Sequence, residues 1–99
     1  MELDSQLLGT WTIDPLDTVS IQQMGHVSMT FLPDHIMKYI VQERGTIMIS
    51  HLTYWTEQGE ILTNQPPSVD NERTKYVVKN KDQLMLTKDN LSTSFIRVE

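Results

Sequence analysis

The first residues to test for chemistry are His26, His35 and His51, because imidazole is both the commonest metal ligand and an acid–base group near neutral pH. Their separations match neither the i, i+2 spacing that puts two ligands on one face of a strand nor the i, i+4 spacing of a helix. The chain has no cysteine, and no close carboxylate cluster joins them, so they read as structural residues rather than as a metal site or a haem ligand. A Gly-x-Ser-x-Gly elbow, a phosphate-cradling glycine loop and a dinucleotide fingerprint are all missing from the sequence. Asp34, Glu43, Glu57, Glu60, Asp70 and Glu72 fall mainly in turn-like stretches, where carboxylates stay solvated. The sequence therefore assembles no catalytic set, requires no cofactor, and reads as that of a non-enzyme.

Softer chemistry is better represented. Methionines at positions 24, 29, 37, 48 and 85 carry flexible, polarizable thioethers suited to an adaptable apolar pocket, or to filling gaps in a core. Tyr39, Tyr54 and Tyr76 each join an apolar ring to a hydroxyl that can meet a ligand carbonyl or carboxylate at the mouth of a cavity. The plainer reading is tyrosines that straddle core and solvent. From these types the candidate ligand-binding set is Met29, Met37, Tyr39, Tyr54 and Tyr76.

The elements that would hold them are strands. From Leu7 the residues alternate, with Gly9, Trp11 and Ile13 on one side and Thr10, Thr12 and Asp14 on the other. Leu16 to Met24 reads either as one short helix, with Asp14 as cap and Pro15 in the first turn, or as an irregular loop. Val27 to Phe31 and Ile36 to Gln42 form a hairpin about Leu32-Pro33-Asp34-His35, and Glu43-Arg44-Gly45 turns the chain into a long stretch from Thr46 to Thr56. That stretch breaks its alternation around Ser50-His51, where a bulge or bend is expected to re-aim the side chains. Glu57-Gln58-Gly59-Glu60 turns into Ile61 to Gln65, the polar segment Pro66 to Glu72 reads as a rim loop, and three further strands follow: Thr74–Lys79, Gln83–Lys88 and Ser92–Val98.

About eight strands on short hairpins describe a single all-β domain over residues 1–99, an antiparallel up-and-down barrel of lipocalin or streptavidin shape or a strongly curled sheet. In a barrel with an even strand count, the start of the first strand lies beside the end of the last. This places Arg97 over Trp11, a cation–π contact of roughly 0.5 to 2 kcal/mol that would close one end. The inward set would be Trp11, Ile13, Val27, Met29, Phe31, Met37, Tyr39, Val41, Ile47, Ile49, Tyr54, Tyr76, Val78, Leu84, Leu86 and Phe95. Its bulk favours a core filled by its own side chains over a cavity for one small ligand.

Gly9-Thr10-Trp11 near the start and Phe95-Ile96-Arg97 near the end resemble the calycin-like group: lipocalins, fatty-acid-binding proteins and small bacterial lipocalin-like domains. In that group a Gly-x-Trp element opens the first strand and a late basic residue packs across its tryptophan. Phe31-Leu32-Pro33-Asp34, and Tyr54 with Gly59 and Leu62, look like the small bacterial members. The resemblance covers most of the chain, although full lipocalins are considerably longer. It implies a barrel closed by Gly9, Trp11 and Arg97 and the binding of a modest apolar molecule.

Composition narrows the partners. Eight Lys/Arg against thirteen Asp/Glu leave a formal charge of −5, which argues against nucleic acid. Met1 to Gln6 is polar and acidic, unlike a signal peptide, and no apolar run reaches transmembrane length, so no membrane partner and a cytoplasmic location are expected. Tyr54 and Trp55 are neighbours on a strand and must face opposite ways. If Trp55 faces out, a patch with Ile36 or Ile40 would suit a homodimer or another protein. Two functions compete: a lipocalin-like binding module for an apolar ligand, and a solid barrel serving as a structural or protein-interaction module.

Overall fold

The computed structural model describes residues 3–64 and 72–98 of the chain. The expected rim segment Pro66 to Glu72 lies outside the described residues, except for Glu72 itself. Eight antiparallel strands close in sequence order into one up-and-down barrel: β1 (Gly9–Ile13), β2 (His26–Phe31), β3 (Ile36–Glu43), β4 (Thr46–Glu57), β5 (Glu60–Asn64), β6 (Glu72–Asn80), β7 (Gln83–Lys88) and β8 (Leu91–Arg97). One helix, α1 (Thr18–Met24), follows β1. Among the described residues, no helix is long and apolar enough to cross a membrane.

Turn chemistry sets this topology. Arg44-Gly45, Gln58-Gly59 and Asp89-Asn90 are two-residue loops with positive φ at both positions. That is the hairpin turn whose twist matches the right-handed twist of its flanking strands. Lys81-Asp82 joins β6 to β7 without positive φ, and the register slips instead between Val78 and Asn80. A bulge absorbs the mismatch there. Between Ser50 and His51, by contrast, the β3–β4 register runs unbroken from Ile36↔Thr53 to Glu43↔Thr46, so the bulge expected at that point is absent.

The unbroken alternation of β4 corrects the inward set. Tyr54 is fully buried, so Leu52, Ser50 and Met48 share its face, while Ile47 and Ile49 point outward and are exposed. Three consecutive apolar residues, Ile47-Met48-Ile49, carry no alternation from which the sequence alone could choose a face. The other inward assignments hold: Trp11, Ile13, Val27, Met29, Phe31, Met37, Leu84 and Phe95 form the core, with Tyr39, Val41, Tyr76, Val78 and Leu86 packed against it.

Closure occurs where β1 meets β8, with Trp11↔Arg97, Thr12↔Ile96 and Ile13↔Phe95 in register. The Arg97 guanidinium lies 4.2 Å from the centroid of the Trp11 ring. Its Nη1 donates to Leu8 O at 2.7 Å, Nη2 to Gln6 O at 2.8 Å, and Nε to Lys81 O. These carbonyls belong to the strap before β1, which contains the 3-10 turn Ser5–Leu7, and to the β6–β7 turn. Trp11 Nε1 donates to Leu7 O at 2.9 Å, and the Tyr76 hydroxyl donates to Asp4 Oδ2 at 2.7 Å, so the strap is fastened across the barrel floor.

Replacing Arg97 by Ala removes the cation–π contact and three charge-assisted bonds. It should cost about 2–4 kcal/mol by urea unfolding, with Arg97→Lys recovering under half because one ammonium cannot serve three carbonyls in that geometry. A loss below about 0.5 kcal/mol, the scatter of ordinary surface substitutions, would mean that Arg97 does not hold the floor.

Candidate functional site

The floor holds the bulkiest residues. Trp11, Phe31, Tyr54, Leu7 and Leu84 are among the largest fully buried side chains, and the Phe31 and Tyr54 rings meet edge to face at 5.1 Å. Toward the other end the inner wall thins, because Ser50, Thr63, Thr74 and Thr93 supply small side chains there and Ile47 and Ile49 face out. What remains is a cavity of about 550 Å³, within the range of small-molecule sites, in place of the filled core expected from the sequence. Met24, Met29, Met37, Phe31, Leu52 and Phe95 provide much of its apolar wall. At its edge Lys88 Nζ pairs with Glu72 Oε2 at 2.6 Å, near Asp89.

The candidate ligand-binding residues divide by height. Met29, Met37 and Tyr39 line the cavity, with Tyr39 lying between Met29 and Ser50 in the cross-strand rows. Tyr54 and Tyr76 do not line it. The Tyr54 hydroxyl donates to Leu32 O at 2.8 Å and that of Tyr76 to Asp4, both at the closed end, so their expected place at the mouth is corrected. Burial, with the Asp34 charge adding to it, pushes the Tyr54 phenol up to about 12. Burial also raises Tyr39, helped by the Glu72 charge. Tyr39 therefore keeps its proton, and its hydroxyl makes no hydrogen bond among the described residues. This leaves a donor available to an acceptor in the cavity.

Other sequence candidates fall elsewhere. His26 and His51 are exposed, and His35 Nδ1 donates to Tyr54 O at 2.9 Å as part of the β2–β3 turn. Among the described residues no three His, Asp or Glu side chains are grouped to hold a metal ion. Trp55 faces outward but is half-buried, in register with the buried Leu62. Ile36 is its diagonal neighbour, opposite Thr53, whereas Ile40 pairs with Ile49 well up the strand and out of reach.

Sequence reasoning missed the contribution of α1. Asp17, not Asp14, caps the helix: its carboxylate accepts from Ser20 N at 3.3 Å and from Ser94 N of β8 at 3.0 Å. Asp14 instead accepts from Leu16 N in the preceding turn. The buried Ser20 hydroxyl donates to Thr93 Oγ1 at 3.2 Å, and these ties bring Gln23 and Met24 over the cavity. Asp17, an N-cap residue type directly before Thr18, is the signal in the sequence. A scan against protein-family models, a search of curated proteins and a search of solved structures each find no match.

Asp17→Ala should cost about 1 kcal/mol at neutral pH through loss of the cap. The Ser94 N–H bond, with smaller help from Ser20 and against the opposing effect of burial, lowers the carboxyl from its ordinary 3.8. Its stabilisation is thus present above that value and lost as pH falls through the lowered one. Urea midpoints of wild type and variant should converge from about pH 4 downward; a gap unchanged at pH 3 would contradict the assignment.

Proposed function

We propose that the protein is a small lipocalin-like binding domain for one modest, uncharged apolar molecule carrying a hydrogen-bond acceptor. The observation that carries this reading is the cavity of about 550 Å³ at the end opposite the Trp11–Arg97 floor, walled by methionine and aromatic side chains. Thioethers adapt to ligand shape, and the protonated Tyr39 hydroxyl supplies orientation. The charges at the edge already include the Lys88–Glu72 pair, so they offer little to an ionic ligand. The resemblance of Gly9-Thr10-Trp11 and Arg97 to the calycin-like group supports the same reading, although a shared fold alone does not carry a function.

Titration with a neutral solvatochromic probe such as N-phenyl-naphthylamine tests it. Wild type should bind with blue-shifted, saturable emission, and Ser50→Phe, which fills the cavity from its wall, should weaken binding at least tenfold with unchanged circular dichroism. Tyr39→Phe should retain the arylamine probe, which has no carbonyl, but lose affinity several-fold for a carbonyl-bearing analogue. Equal probe binding by wild type and Ser50→Phe would place any apolar site elsewhere.

A further inference from the structure

Among the described residues the upper half of β4 is an edge: residues 46–52 pair with β3 throughout, whereas β5 joins β4 only from Thr53↔Asn64. Both flanking hairpins have two-residue loops, so Glu43:Thr46 and Glu57:Glu60 are closing pairs of the hydrogen-bonded kind. Alternation from either end gives the same result. The backbone groups of Thr46, Met48, Ser50 and Leu52 turn toward β3, and those of Ile47, Ile49 and His51 turn away. Among the described residues no hydrogen bond reaches the latter set.

This edge lacks the usual protection. Native edge strands are blunted by charge, proline or a bulge. Thr46 to Thr56 contains no charged residue and no proline, and its register with β3 has no bulge. Ile47, Met48 and Ile49 are 59%, 64% and 55% exposed, in a chain that otherwise carries a net charge of −5.

We infer that this edge pairs with the same edge of a second copy of the chain, antiparallel about a two-fold axis at Ile49. The free groups are disposed symmetrically about that residue. Ile49 meets Ile49 of the copy, Ile47 meets His51, and His51 meets Ile47, so all the outward-turned N–H and C=O groups pair, giving about six backbone bonds. On the outer face Ile40 already lies opposite Ile49, so the axis completes a row of isoleucines, Ile40 and Ile49 from each copy. Neither copy brings a charge to the axial row itself; Lys38 stands one row away, opposite His51. An isologous contact of this kind closes after two copies. Its area falls below the roughly 1,600 Å² of a standard interface, so association is weak, in the micromolar range or above.

The absence of cysteine makes single-cysteine probes specific. On the full chain, sedimentation velocity from about 5 to 500 µM should show wild type shifting toward dimer, a span that brackets weak association. Ile49→Lys and Ile49→Pro should stay monomeric with unchanged circular dichroism; the proline removes only an N–H that faces the free side. A hydrogen-bonded pair at the axis sets Cα atoms about 5.5 Å apart, within disulfide range. Under mild oxidation Ile49→Cys should cross-link at least tenfold faster than Val77→Cys, an exposed outer position on β6. A wild type monomeric throughout, a dimer that persists in both Ile49 variants, or equal cross-linking rates would each overturn the proposal.

Discussion

One guanidinium holds the barrel shut. Arg97 stacks on Trp11 at 4.2 Å while its nitrogens serve carbonyls of Gln6, Leu8 and Lys81, which belong to the strap below β1 and to the β6–β7 turn. A β-barrel without closure is a sheet with two edges, so the seam between β1 and β8 decides whether the other pairings enclose anything. That seam is short, with Trp11, Thr12 and Ile13 in register against β8. Arginine suits it because a planar fork can stack and donate at once.

Closure at this end determines what is left at the other. The strap packs Leu7 into the floor, Trp11 and Tyr76 fasten it, and the largest aromatic rings fill the space above. The opposite end receives serine and threonine on its inner wall and, among the described residues, is covered only in part, by a short helix held through Asp17 and Ser20. Stability and capacity for a ligand are thereby separated along the barrel axis. Large side chains near Arg97 supply burial, and small ones away from it supply volume.

Much of this arrangement is legible in the sequence, and the limits have physical causes. Turn residues at Arg44-Gly45, Gln58-Gly59 and Asp89-Asn90 punctuate the strands sharply, and the even strand count brings Arg97 to Trp11 without knowledge of any contact. Alternation reports the face of a strand, not the height along it. Met29, Met37 and Tyr39 were therefore recognisable as inward and lie in the cavity wall, whereas Tyr54 and Tyr76, equally inward, lie at the floor. Ile47 and Ile49 were misassigned because both faces of β4 are apolar there, and only the pairing with β3 fixes the parity. The expectation of a filled core has the same cause, since two isoleucines placed inside would help to fill the cavity.

Native-state hydrogen exchange tests the closure most directly. The amides of Asp14 and Val98 bond across the β1–β8 seam to Ser94 O and Thr10 O, each at 2.8 Å. If the Arg97 tie makes the barrel one cooperative unit, these amides exchange only through global opening, with free energies equal to those of Ser28 and Ile40, a bonded pair between β2 and β3. Rapid exchange at Asp14 and Val98 while Ser28 and Ile40 stay protected would show a barrel that opens at its seam, and would contradict closure by Arg97.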